Sequence, residues 1–426
     1  MNKISSIIKA NRNGEKQGVY AVCSAHPLVI EAAIEQAKQD NSPLLIEATA
    51  NQVNQFGGYT GMLPADFLAF IGQIADDLDY PRENIIPGGD HLGPVCWVSE
   101  TAEQAMVKAR DLIASYVAAG FKKIHLDTSM SCIDDPQCLP DAVVAWRAAD
   151  LCAVAEQTAI KTFGQSDLAY VVGTEVPPPG GATEEIAELE LTSTERVEET
   201  LRLHQSEFYS LGLEDAWNRV IGLVVQPGVE FDHTSLIDYH SEKAQALKSA
   251  ITRYENIAYE AHSTDYQNVQ AYINLVQDHF AILKVGPQLT FAMREGLFAL
   301  SYIEDELIPA EQRSYLREIC EQEMLESTGN WQRFYPVPVS KGTLYRRYSY
   351  SDRIRYYWHL PRIKSAINQL FINLDQIDIP LPLISQFLPE QYRAIRNNEL
   401  ESNAKTLVKA KIKQVTELYA QACWKQ

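Results

Sequence analysis

Eight short runs of apolar, largely β-branched residues alternate with longer stretches of helical periodicity, and this repetition constrains the fold more than any other feature of the chain. In order they are Tyr20–Ser24, Leu44–Ala48, Ile85–Gly89, Ile124–Asp127, Tyr170–Glu175, Val220–Gln226, Ile257–His262 and Ala281–Gly286. Each leads into a polar or glycine-rich turn and then a helical stretch, which is the signature of βαβ units around a buried parallel sheet. Eight units close such a sheet into a barrel. Stretches such as Thr101–Ala119, with Ala105, Val107, Ala109, Leu112 and Ile113 apolar, and the alanine-rich Pro140–Thr158 would form the outer ring. An open doubly wound sheet would call for a glycine-rich phosphate loop after its first strand, whereas the first turn here reads Cys23-Ser24-Ala25-His26-Pro27. The expected fold is therefore an α/β TIM (β/α)8 barrel.

At 426 residues the chain is longer than a barrel needs. The alternation stops near Ser301, so residues 1–300 are expected to form the barrel and 301–426 a helical C-terminal extension packed on or beside it. That extension reads as Glu304–Ser327, a tyrosine-rich stretch over Tyr345–Trp358, then Ile363–Leu374 and Ala404–Trp424, with a break at Pro380-Leu381-Pro382. Arg346, Arg347, Arg353 and Arg355 are interleaved with tyrosines there. They could line a subunit contact in a homo-oligomer or reach an anionic substrate, although a packed amphipathic helix is the plainer expectation.

The formal net charge of -19 repels phosphate backbones and anionic membranes, so neither nucleic acid nor a membrane surface is an expected partner. No apolar run approaches the roughly 20 residues of a membrane-spanning helix. The 7 cysteines have no metal-ribbon spacing, and the N-terminal residues lack an apolar signal core, which together suggest a reducing cytoplasm.

In a barrel the chemistry sits where strands end, and here nearly every run ends in a polar group. The first delivers Ser24 and His26, the second Glu47, the third Asp90 and His91, the fourth His125 and Asp127, and the fifth Glu175. The sixth delivers Gln226, the seventh Glu260 and His262, and the eighth Lys284 before Gly286. Any one of these could be a helix cap or a hydrogen-bonded core residue. Together they would crowd carboxylates onto one rim, where they repel one another unless a cation or protons intervene. Imidazole and carboxylate without a thiolate cluster suit a divalent ion such as Zn²⁺, Mn²⁺ or Mg²⁺. His91, Glu175 and His262 are the expected ligands, with Asp127 a further ligand or an orienting partner. Asp90 and Glu175 are the candidate catalytic acid and base.

A polyhydroxylated ligand would find side-chain amides in the loop Asn51–Gly61, with Asn51 and Gln55 among them, and a rigid turn at Pro177–Gly181. Ser24, His26, Glu47, Gln226, Ser263, Lys284 and Gly286 complete the expected substrate-binding set. A phosphate could sit at Gly286-Pro287, where the last helix begins, near Lys284 or Ser263. Lys284 alternatively suggests a Schiff-base aldolase, a reading that the surrounding acids and imidazoles oppose. No nucleotide-binding or kinase motif accompanies these residues.

The chain resembles the Z subunits of D-tagatose-1,6-bisphosphate aldolase, the GatZ/KbaZ family. The resemblance rests on Cys23–Pro27, Ile46–Gly61, Gly88–Pro94, His125–Asp127, Gly173–Pro177, Gln226–His233, Glu260–Tyr266 and Ser351–Trp358, and spans nearly the whole length. It implies an auxiliary, non-catalytic subunit that supports the activity and stability of a class II, zinc-dependent Y subunit in galactitol or N-acetylgalactosamine breakdown. At a distance the family is also similar to the class II aldolases. There Asp90-His91 matches a catalytic aspartate and a zinc histidine, and His262 a further ligand. Gln226 stands where another ligand histidine would be expected, and an amide is a poor zinc ligand. Related metal-dependent ketose 4-epimerases give the alternative, a tagatose/fructose-type epimerase of a ketose or ketose phosphate, or an aldolase, acting at its own barrel site.

Overall fold

The computed structural model describes residues 2–425 apart from 174–188, 336 and 338. The eight runs form β1 (Val19–Val22), β2 (Leu44–Thr49), β3 (Ile85–Leu92), β4 (Lys123–Leu126), β5 (Ala169–Val172) and β6 (Val220–Val225), then, after a short antiparallel hairpin of β7 (Glu230–Phe231) and β8 (Leu236–Ile237), β9 (Ala258–Ala261) and β10 (Phe280–Val285). The strands other than the hairpin pair in parallel in the order β1-β10-β9-β6-β5-β4-β3-β2 and close on themselves. The chain is thus an α/β TIM barrel with further helices after its last strand.

The outer helices begin and end where side chains satisfy their terminal amides or release the chain. Thr101 caps Ala102–Ala119 by accepting from the Gln104 amide, and Gly120 ends it in a left-handed conformation at φ 113°. His26 caps Pro27–Asp40 through its ring, with proline in the first turn. Inside, two layers stack. The lower is apolar: Ile4, Ile7 and Ile8 of the first helix, Lys3–Arg12, plug the strand starts against Val19, Leu45, Ile86, Val171, Ile221 and Ile282. The upper layer, nearer the strand ends, is polar.

The helix following β10 runs over Pro287–Leu307, across the position where the alternation of the sequence stops. Beyond it come Leu316–Glu326, Val339–Tyr348, Pro361–Asp375, Leu381–Phe387, Pro389–Arg396 and Ala404–Trp424. The last of these packs against Pro27–Asp40, Val269–Gln277 and Pro287–Leu307 and touches β1, so the C-terminus occupies a place in the ring. The tyrosine-rich stretch is not one amphipathic helix. It breaks after Tyr348, and Arg353–Tyr356 forms a single 3-10 turn entered through Asp352 at φ 43°. Among the described residues no helix is long and apolar enough to cross a membrane.

Leu407 of the C-terminal helix is wholly buried in the core that the barrel helices share. Leu407→Ala should lower the unfolding free energy of the whole protein by about 2–5 kcal/mol, read as a shift of a single urea transition. An unchanged main transition with a separate early one would show that this helix does not belong to the barrel's cooperative unit.

Candidate functional site

The upper layer is built from alternate residues of the strands, because side chains two apart on a strand share a face. Lys123 and His125 of β4, Glu260 of β9 with His262 just beyond it, Glu47 of β2, Asp90 of β3 and Lys284 of β10 all turn inward and are buried. Lys123 Nζ lies 2.6 Å from Glu47 Oε1 and 2.6 Å from Glu260 Oε2, with all three side chains inaccessible to water. Lys284 Nζ bonds the other oxygen of Glu47 and lies 2.8 Å from Asp90 Oδ1. Gly88 makes room for this arrangement, since a Cβ there would come within 2.8 Å of the Glu47 side chain.

Above the lysines stand three imidazoles. The ring centroids of His91, His125 and His262 are 5.1, 5.0 and 5.5 Å apart, pair by pair. His91 reaches this position on a left-handed backbone, φ 47°, an uncommon conformation for a non-glycine residue and one that clusters at functional sites. Its Nδ1 is 2.8 Å from Asp127 Oδ2, and its Nε2 is 3.7 Å from Asp90 Oδ2. His262 Nε2 is 2.9 Å from Glu260 Oε1. His125 has Nδ1 2.9 Å from Asp90 Oδ1 and 3.3 Å from the His91 amide that donates to it, and Nε2 3.0 Å from the Gly173 carbonyl oxygen.

The electrostatics follow from burial opposed by these partners. Burial disfavours the Asp90 carboxylate, but His91, Lys284 and His125 outweigh it and hold Asp90 well below the usual carboxylate range. Glu260 is held low in the same way against its burial, by Lys123 and Lys284. Burial works against the His91 cation, yet Asp90 and Asp127 carry its pKa up to about 8. Burial wins at His262, which falls to about 4 and is neutral at physiological pH.

This donor set fits a divalent cation. Asp90, His125, Glu260 and His262 each bring a potential ligand atom within 4.8 Å of the others, a group that contains His262 of the expected ligands but not His91 or Asp127, which stand at its edge. In the buried layer three carboxylates, those of Glu47, Asp90 and Glu260, face two ammonium groups, those of Lys123 and Lys284, so a net negative charge remains. His91 and His262 each rest one ring nitrogen on a carboxylate, Asp127 and Glu260 respectively, which is how metal-bound imidazoles are ordinarily oriented. Asp127 stands behind His91 as its orienting partner.

A cavity of about 440 Å³ opens above these residues. Ser24, His26, Asn51, Asp90, His91, Asp127, His262, Ser263, Lys284 and Gly286 of the expected set line it, together with Gln52, Tyr59 and Asp265. Arg355, Tyr356, Trp358, His359 and Lys364 of the C-terminal segment line it too, so that segment lies over the barrel mouth.

Several expected residues have other duties. Gln55 donates to the Lys108 carbonyl oxygen at 2.9 Å and does not line the cavity. Gln226 spends its side-chain oxygen on the amides of Gly228 and Val229, shaping the turn after β6, and does not line the cavity either. Glu47 lies below the floor, paired with both lysines. His26 accepts from the Leu28 amide, and burial lowers its pKa to about 3. The anion site expected at Gly286 is taken by a protein carboxylate: Asp265 accepts from the amides of Gly286 at 3.1 Å and Gln288 at 2.8 Å. Glu175 and the Pro177–Gly181 turn lie outside the described residues. Lys123, buried between two carboxylates, was hidden in the sequence by its neighbour Lys122 and by its place at a strand start, where lysine is normally solvated; only its parity with His125 pointed inward.

Two outcomes follow for stability. Lys123→Met leaves Glu47 and Glu260 as underpaired buried charges and should destabilise the protein by about 3–5 kcal/mol in urea unfolding; a loss below about 1 kcal/mol would mean that the pairs contribute little. Burial raises Asp265 to about 6, above its ordinary value of 3.8, despite the amides it accepts from. Its contribution is therefore present at low pH and lost as the pH rises through about 6. Asp265→Asn should gain on the order of 2 kcal/mol relative to wild type at pH 8, and this gain should vanish near pH 4; the opposite trend would contradict the assignment.

Residues 4–424 match the family model described as D-tagatose-1,6-bisphosphate aldolase subunit GatZ/KbaZ-like. The chain is similar, at 46% identity and a TM-score of 0.89, to the crystal structure of a probable tagatose 6 phosphate kinase from Sinorhizobium meliloti 1021, over 96% of this chain and 100% of that one. Looser likenesses, too distant to carry an argument, are to the YdjI aldolase from Escherichia coli K12, at 11% identity and a TM-score of 0.44 over 85% and 96% of the two chains, and to a fructose-bisphosphate aldolase from Campylobacter jejuni, at 14% and 0.43 over 89% and 95%. Cavity, imidazoles and buried ion pairs thus sit in a chain that belongs to the GatZ/KbaZ-like family of D-tagatose-1,6-bisphosphate aldolase subunits.

Proposed function

We propose that the barrel is a sugar-converting enzyme in its own right, a metal-dependent 4-epimerase of a ketose or ketose phosphate of the tagatose/fructose type. The observation that carries this is the convergence of His91, His262, Asp90 and Lys284 on one cavity at the barrel mouth. A purely supporting subunit has no use for buried charges arranged around an accessible void, since burying them is costly. His91 and His262 would hold the divalent ion, Zn²⁺ or Mn²⁺, with Asp90 beside them. When bound, the ion polarises the ketose carbonyl or a neighbouring hydroxyl.

The chain's own groups supply proton transfer and positioning. Inverting C4 by cleaving and remaking the C3–C4 bond requires a base that takes the C4 hydroxyl proton and returns it after the aldehyde turns its other face. Asp90, ionised and lining the cavity, is placed for that role. Lys284 and His125 fix its orientation through Oδ1. Glu175 remains a proposed second acid or base and ligand. Ser24, Asn51 and Ser263 line the cavity and offer hydroxyl and amide groups to the sugar. The segment from Arg355 to Lys364 covers the barrel mouth, while Ala404–Trp424 belongs to the outer ring, and the protein works in the cytoplasm.

The second reading is favoured by the family description: an auxiliary subunit that sustains the activity and stability of a class II Y subunit in galactitol or N-acetylgalactosamine breakdown. One set of assays separates the two. The purified chain with Mn²⁺ or Zn²⁺ should interconvert tagatose and fructose or their 6-phosphates, and Asp90→Asn should lower turnover about 10²- to 10⁴-fold. His91→Ala should abolish both metal retention and turnover. No turnover by the chain alone, with a Y subunit stabilised equally by wild type and His91→Ala, would establish the auxiliary role instead.

A further inference from the structure

The cavity is two-faced. Its barrel side carries Asp90 and Asp127, while its C-terminal side carries Arg355 and Lys364. The guanidinium of Arg355 is fixed in place by uncharged groups: it donates to the carbonyl oxygens of Ser351 and, at 3.3 Å, Asp352, and to the Tyr356 hydroxyl at 3.1 Å, and it lies 4.5 Å from the centre of the Tyr356 ring. The neighbouring Asp352 carboxylate accepts from Thr290 Oγ1 at 2.6 Å and faces Arg294 at 3.6 Å, so that it and Asp265 act on Arg355 electrostatically but without a direct ion pair. Among the described residues neither Arg355 nor Lys364 forms an ion pair with a carboxylate. That is unusual placement in a chain of net charge -19, where carboxylates outnumber cations. Both of these positive residues line the same cavity.

The usual anion position of a barrel, the start of the last helix, is closed here because Asp265 already holds its amides. An anionic ligand must bind elsewhere in the cavity, and the acidic barrel side repels it. We propose that Arg355 and Lys364 form the subsite for the phosphate monoester of the substrate, so that the C-terminal segment selects a ketose phosphate over the free ketose and points its carbon chain toward Asp90 and His91. The inference rests on the reading of the cavity as a sugar site. A fixed guanidinium and a mobile ammonium together match a dianion with several acceptor oxygens better than a lone carboxylate. Arg355 and Lys364 are specificity-determining residues in this scheme, remote from the reacting carbons.

Calorimetry on the full-length, metal-loaded protein tests it, with fructose 6-phosphate, fructose, fructuronate and inorganic phosphate as probes. Fructose 6-phosphate should bind about 10- to 100-fold more tightly than fructose, and Arg355→Gln should remove that advantage while leaving fructose binding unchanged. Lys364→Gln, at an exposed position where folding is not at stake, should take away part of the same advantage. Equal binding of fructose and its phosphate, equal loss of both in Arg355→Gln, or fructuronate binding as tightly as the phosphate would overturn the subsite. Inorganic phosphate makes the test independent of the enzymatic reading. Binding of phosphate that Arg355→Gln abolishes upholds the subsite even in a chain that converts no sugar, and absence of phosphate binding overturns it even in a chain that does.

Discussion

The buried chain of charges from Glu47 through Lys123 to Glu260, and from Glu47 through Lys284 to Asp90, is the constraint on which the rest of this structure depends. Five ionised groups inside a barrel would each cost several kcal/mol if unpaired, so strand register, inward parity and the small residue at Gly88 must all hold them within bonding distance. An apolar filling would have served stability as well or better. The layer below, plugged by Ile4, Ile7 and Ile8, shows that this chain builds such a filling where chemistry is not at stake.

From that layer the site follows upward. Lys284 and His125 hold Asp90 ionised and oriented, Glu260 orients His262, and Asp127 orients His91. Two of the carboxylates that pair with the lysines, Asp90 and Glu260, therefore also orient imidazoles above them, those of His125 and His262. Over these the C-terminal segment lays a turn that brings Arg355 to the cavity. The helix ending the chain anchors that segment by packing between the outer helices and touching β1.

Much of the fold was legible in the sequence because a buried parallel strand writes itself as an apolar run, and eight such runs have one natural closure. The strand ends were legible for the same reason: His91, Asp127, His262 and Lys284 interrupt or terminate apolar runs and do come together around the cavity. What sequence could not convey was direction beyond the strand. Gln226 follows its strand more closely than Asn51 does, and Gln55 shares the Asn51 loop, yet the side chains of both glutamines serve backbone groups. The amides at Gly286 looked open to an anion in the sequence because no spacing rule reveals that Asp265 folds back onto them. Arg355 could not be told from Arg346, Arg347 and Arg353 as the one that reaches the cavity, since the turn that presents it lies 70 residues beyond the end of the last strand at Val285.

The central claim is that the imidazole layer holds a metal next to Asp90. Anomalous diffraction from crystals grown with Mn²⁺ tests it most directly. The account requires one strong peak in the cavity, bounded by His91 and His262, that disappears in His91→Ala crystals. A cavity without anomalous density at saturating Mn²⁺, or a peak only at surface carboxylates, would contradict it.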